Sequence, residues 1–203
     1  MRKADPNSPT KAKLLDAAQA LVLSRGYSAT TVDDVCKKSG VTKGSFFHYF
    51  TNKDDLGAEL LKRYCQSSGA AMASCCCPDE KDALKRVYTF LDFMVDLAGK
   101  RGGTGCLLGS MSQELSESSA SIRMICDKSF TEMAAWLSRD LAQAKKQHKP
   151  KVSFDPQSLA DHFVAVLQGS MLISKVKKDK NVAINGIKHF RSYLQSIFME
   201  RKH

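Results

Sequence analysis

The sequence predicts an all-α fold of about nine helices, and three observations indicate it. Apolar side chains recur three and four residues apart in most long segments, which is the spacing of one helix face. Ser, Thr, Asp or Asn precedes many of these segments, where such residues cap helices, and glycine ends some of them. No segment alternates apolar and polar residues as a half-buried strand does. We therefore expect helices without a sheet.

The bulk composition favours a protein that stays inside the cell. A chain of 203 residues, of which 43% are hydrophobic, is long enough for one or two domains with cores of their own. No apolar run approaches the ~18 residues of a membrane span, and the N-terminus lacks the apolar block of a signal peptide. We therefore expect a cytoplasmic protein without a membrane partner.

The seven cysteines predict reduced thiols rather than disulfides, because their number is odd and no Cys-x-x-Cys pair occurs. Three of them, Cys75 to Cys77, are consecutive, and consecutive residues of a helix point in different directions and cannot share a metal ion. The five histidines and the acidic residues show no metal spacing, nucleophile motif or paired carboxylates. We expect no metal, no other cofactor and no catalysis.

The net charge of +10 predicts a polyanionic partner such as nucleic acid. The charge is not concentrated at the N-terminus, because residues 1–63 hold 11 basic and 7 acidic side chains whereas residues 145–203 hold 12 and 4. Charge alone therefore does not locate a DNA-binding face. It also leaves open a non-specific nucleic-acid-binding accessory protein.

Residues 28–50 predict two short helices joined by a glycine turn. Thr31, with Asp34 three residues later, has the spacing of a capping box, and the first helix should end at Ser39-Gly40. Thr42 is a suitable cap for the second helix. A turn of about three to four residues between two such helices is the geometry of a helix-turn-helix.

The first turn of the second helix has the side chains that a phosphate-binding helix end requires. Lys43, Gly44 and Ser45 are small or cationic, so backbone amides and the positive end of the helix dipole can come close to a phosphate. Larger side chains there would hold DNA away. A helical hairpin inside an all-α protein shows the same pattern without binding DNA, and the spacing alone does not separate the two.

Four stretches resemble the TetR family of transcriptional regulators in order and spacing. They are Gly26-Tyr27, Thr30-Thr31-Val32, the run from Ser39 to Phe50, and Asn52 to Leu56. The resemblance covers nearly all of residues 10 to 60. It implies a DNA-binding regulator, most simply a repressor that a small-molecule effector releases from a palindromic operator. It also implies a homodimer formed by the two C-terminal helices.

The resemblance further assigns DNA contacts to individual residues. It implies phosphate contacts from Thr31, Thr42, His48, Tyr49 and Lys53, base-edge contacts from Lys43, Gly44 and Ser45, and a sugar or thymine-methyl contact from Phe47. The family commonly has tyrosine in place of Phe47, so a phosphate hydrogen bond from that hydroxyl is lost here. The alternative for Tyr49 is a ring that packs on the third helix.

We predict a helix-turn-helix DNA-binding domain over residues 1–52 and a helical effector-binding and dimerisation domain over residues 53–203. A long fourth helix that begins near Asn52 is the expected link between them, and the fifth helix should begin at Pro78-Asp79. The two long apolar helices at the C-terminus would leave excess hydrophobic surface on a monomer. A monomeric core is the alternative to the implied dimer of four packed helices.

Aromatic and sulfur-containing side chains of the C-terminal part predict an effector pocket, although residues of these types at helical spacing also form ordinary cores. The candidates are Phe90, Met94, Cys106, Met111, Phe130, Met133, Trp136, Phe163 and Lys175. The sequence does not identify the effector.

Cys106 suggests a specific regulatory chemistry. The segments Gly105-Cys106-Leu107 and Ser174-Lys175-Val176 resemble the electrophile-sensing repressors of N-ethylmaleimide reductase within the same family. A cation beside a thiol lowers the thiol pKa and so favours the reactive thiolate. A redox-sensing or electrophile-sensing repressor that acts through Cys106 and Lys175 is therefore one alternative, and a cysteine buried in the core is the other.

Overall fold

The structure is a computed structural model that describes residues 8–75 and 79–198, and these residues form nine α-helices and no strand. In chain order the helices are α1 (Pro9–Arg25), α2 (Val32–Ser39), α3 (Lys43–Tyr49), α4 (Lys53–Cys75), α5 (Ala83–Arg101), α6 (Leu107–Leu115), α7 (Ala120–His148), α8 (Pro156–Lys177) and α9 (Lys180–Phe198). The prediction of an all-α fold is confirmed. Of the cysteine triplet, only Cys75 lies within the described ranges. Within those ranges no helix is both long and apolar enough to cross a membrane.

The chain divides into two compact units that do not follow chain order. The first unit comprises Met1–Ser67 and Cys106–Asp127, and the second comprises Ser68–Gly105 and Lys128–His203. Helix α6 therefore belongs to the same compact unit as the helix-turn-helix, and it packs on α1. The division of functions between residues 52 and 53 stays a prediction, because packing units do not test it.

In the first unit, α1, α2 and α3 pack on one another around a small apolar core. Its fully buried side chains are Leu14, Ala18, Val22, Val35, Phe46 and Phe50. Helix α1 begins with Pro9 at its first position, and the Ser8 side chain accepts a hydrogen bond from the Thr10 amide. Gly26 ends it at φ +92°, a backbone conformation that glycine adopts without strain.

The predicted caps of the helix-turn-helix are confirmed. The Thr31 hydroxyl accepts a hydrogen bond from the Asp34 amide, and the Asp34 carboxylate accepts one from the Thr31 amide, which completes the capping box. Gly40 ends α2 in the left-handed conformation, at φ +68° and ψ +20°. Thr42 then caps α3, so the turn between the helices is short and fixed at both ends.

The start of α5 differs from the prediction. The helix begins at Ala83 rather than at Pro78-Asp79, and Pro78 lies outside the described residues. Asp82 caps it, because its carboxylate accepts hydrogen bonds from the amides of Leu84 and Lys85. An aspartate cap four residues later thus outcompetes the proline signal.

In the second unit, α9 packs against both α8 and α5. The buried side chains on these three helices include Phe90, Leu91, Phe163, Leu167, Ile187, Phe190 and Leu194. Helix α8 begins with Asp155 as its cap and Pro156 at its first position. Its C-terminal turn and the start of α9 lie against the glycine turn after α5, where a Cβ added to Gly103 would be 3.4 Å from the Asp179 amide nitrogen.

Candidate DNA-binding interface

The first turn of α3 presents its main chain to solvent. The Thr42 hydroxyl accepts a hydrogen bond from the Ser45 amide at 3.2 Å and donates one to the Ser45 hydroxyl at 3.0 Å, so both side chains lie close to the helix end. Gly44 is exposed, and a Cβ placed on it would meet no atom within 4 Å. A phosphate group of a nucleic-acid backbone can therefore approach the main chain of this turn closely.

Lys43 is held by a carboxylate of the preceding helix. Its ammonium lies 2.8 Å from the Asp33 carboxylate, and this hydrogen bond and charge raise the pKa of Lys43. Both side chains are largely exposed, at 58% and 73% of their full areas, so water screens their attraction. Lys43 can thus exchange Asp33 for another acceptor at little cost.

Thr31 is already engaged within the protein. Its hydroxyl donates a hydrogen bond to the Asp34 carboxylate at 2.6 Å, and Arg25 forms an ion pair with the same carboxylate. The hydrogen bonds from Thr31, followed by the charge of Arg25, lower the pKa of Asp34. A phosphate that binds the Thr31 hydroxyl would have to replace Asp34 as its acceptor.

The three aromatic residues at the end of α3 have different surroundings. Phe47 is 51% exposed, although one edge of its ring packs against Phe46 at 5.2 Å between centroids. His48 is exposed. The Tyr49 hydroxyl lies 2.8 Å from the Ser8 hydroxyl at the start of α1. Tyr49 therefore has a partner inside the protein, whereas Phe47 and His48 face outward.

Lys53 lies over the loop between α1 and α2 rather than extending into solvent. Its ammonium is 4.3 Å from the centroid of the Tyr27 ring and donates a hydrogen bond to the Ser28 carbonyl at 3.3 Å. Burial lowers the pKa of Lys53, although the carboxylates of Asp54 and Glu114 act in the opposite direction. A phosphate contact from Lys53 would have to form at the edge of this loop.

Two carboxylates that the sequence analysis did not single out contact the predicted residues. Asp33 has a local signal, because an acidic residue suits the first turn of α2, and its carboxylate contacts Lys43 at the start of the next helix. Glu114 of α6 accepts hydrogen bonds from the amides of Tyr27 and Ser28. No local signal predicts this contact, because 87 residues separate Glu114 from Tyr27.

The predicted effector-pocket residues do not share one environment. In the second unit, the Phe90 ring contacts Trp136 at 4.8 Å and Phe163 at 5.5 Å between centroids, and Met94 is buried. Phe130 lies elsewhere in this unit, on an open groove of about 310 Å³ between α7 and α8. The other residues that line this groove are Thr131, Asp161, Val164, Ala165 and Gln168. Met133 is half-buried, and Met111 is buried in the first unit.

Cys106, immediately before α6, is buried in the first unit. Its sulfur lies 3.8 Å from the Tyr64 hydroxyl. Burial, with smaller effects of the Cys65 and Cys106 thiols, raises the pKa of Cys126 to about 11. In the second unit, the Lys175 side chain runs beside Gly105, the residue that precedes Cys106: a Cβ on Gly105 would be 3.1 Å from the Lys175 Cδ.

Comparison with known proteins agrees with this geometry. The transcriptional repressor DhaR of Mycobacterium sp. (strain GP1) is 24% identical over 173 residues, which cover 85% of this chain and 86% of DhaR. The transcriptional repressor NemR of Escherichia coli (strain K12) is 24% identical over 186 residues, which cover 91% and 94% of the two chains. A crystal structure of the regulatory protein TetR from Rhodobacter sphaeroides has the same fold, with a TM-score of 0.82 over 92% of this chain and 99% of that chain, at 24% identity.

Two family descriptions match successive parts of the chain. Residues 14–60 match "Bacterial regulatory proteins, tetR family", and residues 83–190 match "Tetracyclin repressor-like, C-terminal domain". The first match contains the helix-turn-helix with its uncovered α3 turn, and the second spans α5 to most of α9. The chain therefore belongs to the tetR family of bacterial regulatory proteins, and it is a DNA-binding transcriptional regulator rather than an enzyme.

Proposed function

We propose that this regulator is a repressor that acts in the cytoplasm. It binds a palindromic operator in double-stranded DNA as a homodimer and leaves the operator when a small-molecule effector binds its C-terminal part. The first turn of α3 carries the proposal, because Gly44 leaves the backbone of that turn uncovered. The fact that DhaR and NemR are repressors supports the direction of regulation.

Within this proposal, α3 enters the major groove with its N-terminal end first. Lys43, Gly44 and Ser45 contact base edges there, since all three belong to the exposed turn. Phosphate contacts surround this turn and come from Thr31, Thr42, His48, Tyr49 and Lys53, while the exposed Phe47 ring meets a sugar or a thymine methyl group. The ion pair of Lys43 with Asp33 is exchanged for a DNA acceptor on binding.

An exposed apolar surface on α8 and α9 supports the homodimer. Leu172, Ile173 and Val176 lie on α8 with 45%, 48% and 77% of their areas exposed, and Tyr193 on α9 is 50% exposed. Leu172, Ile173 and Val176 form one exposed apolar patch, and Tyr193, which packs on His162, lies farther along the helix pair. Exposed apolar residues of this kind on two paired helices are typical of a surface that another protein covers. A second copy of the same two helices would complete a four-helix bundle, and its two-fold axis would provide two α3 helices for a palindrome.

Selection of duplexes from a random-sequence pool tests the proposed function. We expect the purified protein to enrich one two-fold symmetric sequence with half-site centres about 34–36 Å apart, one turn of the double helix. We call the tightest such sequence the selected duplex, and the same bases in random order the scrambled duplex. Failure to enrich any sequence, with equal affinity for all duplexes, would instead identify a non-specific nucleic-acid-binding accessory protein.

A second candidate function is a redox-sensing or electrophile-sensing repressor that acts through Cys106 and Lys175. Two observations favour it. The Tyr64 hydroxyl lies within 3.8 Å of the Cys106 sulfur, and the Lys175 side chain runs beside Gly105, the neighbour of Cys106 in the chain. In this function an electrophile adds to the Cys106 thiolate, and the packing change around the adduct lowers DNA affinity.

This second function predicts that N-ethylmaleimide modifies Cys106 before Cys36, Cys65 and Cys126. Burial raises the pKa of the Cys36 and Cys126 thiols, so these two supply little thiolate near neutral pH. Peptide mass spectrometry after limited treatment should therefore find the first adduct at Cys106, and affinity for the selected duplex should fall with the same time course. Cys106→Ser should keep its affinity under the same treatment. If the serine variant releases DNA as wild type does, or if Cys75 to Cys77 take all the adduct, the reversible small-ligand function is retained alone.

A further inference from the structure

The carboxylate of Glu114 holds two consecutive amides of the loop between α1 and α2. Glu114 is the residue before the last one of α6. Its Oε1 accepts a hydrogen bond from the Tyr27 amide at 3.0 Å, and its Oε2 accepts one from the Ser28 amide at 2.8 Å. Hydrogen bonds that a charged carboxylate accepts are stronger than those between neutral groups. Both oxygens therefore bind the same short piece of backbone.

Gly26 makes this close approach possible. A Cβ added to Gly26 would lie 2.9 Å from the Glu114 Oε1 atom, which is closer than real contacts allow. The φ of +92° at this residue also disfavours any side chain. The absence of a side chain at Gly26 thus leaves room for the Glu114 carboxylate, which contacts the loop at the protein surface.

The first turns of α4 hold the same loop from another side. The Tyr27 hydroxyl is 2.8 Å from the Lys53 carbonyl and 2.9 Å from the Asp54 carboxylate, and Lys53 donates a hydrogen bond to the Ser28 carbonyl. The Tyr27 ring lies directly on Gly57, where an added Cβ would be 2.9 Å from the ring. The residues that fix the loop therefore come from α4 and α6, and Lys53 is one of the proposed phosphate contacts.

We propose that Glu114 is a positioning residue for DNA binding, an inference that rests on the proposed function. Thr31, the cap of α2 and another proposed phosphate contact, follows Ser28 by three residues. When the carboxylate is absent, the loop that carries Thr31 and anchors Lys53 samples additional positions. Only the fraction of molecules with the loop in place is then competent, and the apparent dissociation constant rises in inverse proportion to that fraction.

Three variants test this role by DNA titration and amide hydrogen exchange. Glu114→Ala should lose about tenfold or more in affinity for the selected duplex, because two charge-assisted hydrogen bonds disappear. Its affinity for the scrambled duplex should fall as well, because Thr31 and Lys53 are proposed to contact phosphates, which every duplex presents. The affinity of Glu114→Gln for the selected duplex should lie between those of wild type and Glu114→Ala, because an NH₂ group replaces one of the two accepting oxygens. Glu117→Gln, an exposed residue three positions later, removes the same charge and is the matched control.

Hydrogen exchange provides the measurement that does not depend on DNA. The amides of Tyr27 and Ser28 should exchange faster in Glu114→Ala than in Glu117→Gln, with little change in the α5 and α9 amides of the second unit. Unchanged exchange at these two amides, or an unchanged affinity for the selected duplex, would overturn the positioning role. If wild type itself prefers no duplex, the proposed function fails together with the role in DNA binding, and the exchange rates still show whether Glu114 fixes the loop.

Discussion

Ile173→Asp should produce a monomer whose affinity for the selected duplex is at least about a hundredfold lower than that of wild type. Ile173 is 48% exposed on α8 and has the apolar residues Leu172 and Val176 beside it on the same surface. In a dimer formed by this surface, one new carboxylate from each subunit would be buried at the interface. Burial of an unpaired charge costs several kcal/mol, and about 1.4 kcal/mol corresponds to each tenfold change in affinity.

Sedimentation velocity and DNA titration measure the two consequences separately. Met124→Asp is the matched control, because Met124 is also an exposed apolar residue, at 68%, but lies on α7. We expect this control to remain dimeric and to bind the selected duplex as wild type does. A wild-type protein that sediments as a monomer, or an Ile173→Asp protein that stays dimeric, would contradict the assignment of this surface.

Phe46→Ala and Phe47→Ala should affect different properties although the residues are adjacent. Phe46 is fully buried, and its ring contacts those of Phe47 and Phe50 at 5.2 and 5.3 Å between centroids. Its truncation should cost about 3–5 kcal/mol of stability through lost burial and the cavity that remains. The melting temperature should therefore fall by roughly 6–20 °C. Phe47 is half-exposed, so its truncation should change stability little and lower affinity for the selected duplex instead.

Thermal melting followed by circular dichroism, with DNA titration well below the melting temperature, separates these outcomes. The two variants remove the same atoms from neighbouring positions of one helix, and each serves as the control for the other. Equal loss of stability in both would mean that α3 does not present the Phe47 ring to solvent. A Phe47→Ala protein with unchanged stability and unchanged affinity would remove Phe47 from the interface.

The helix boundaries of the N-terminal unit were predictable because local hydrogen bonds determine them. Thr31, Gly40 and Thr42 act within four residues of themselves, and the structure confirms each at its predicted place. The predicted start of α5 was wrong because two local signals compete there, and the helix begins after the Asp82 cap rather than at Pro78-Asp79. Local sequence patterns thus identify possible helix caps more reliably than they show which of two neighbouring candidates begins the helix.

The partners of the predicted DNA contacts could not be read from the sequence. Tyr49 meets Ser8, Lys53 meets Ser28, and Glu114 meets Tyr27, and these pairs are separated by 41, 25 and 87 residues. Neither periodicity nor capping rules address such distances, because they depend on how the helices pack. The sequence predicts which residues contact DNA, whereas the contacts that hold these residues in the free protein could not be predicted.

The most direct test of the central claim is to add a single methyl group to the uncovered turn of α3. Gly44→Ala meets no protein atom within 4 Å, and Gly69→Ala, in α4, meets none either, so both proteins should fold as wild type does. Each substitution should stabilise its helix by about 0.5–1 kcal/mol, because alanine is a better helix former than glycine. Titration should show that Gly44→Ala loses about tenfold or more in affinity for the selected duplex, because the methyl group occupies the space of a DNA contact, while Gly69→Ala binds normally. A Gly44→Ala protein that binds the selected duplex as tightly as wild type would contradict the claim that DNA approaches this turn.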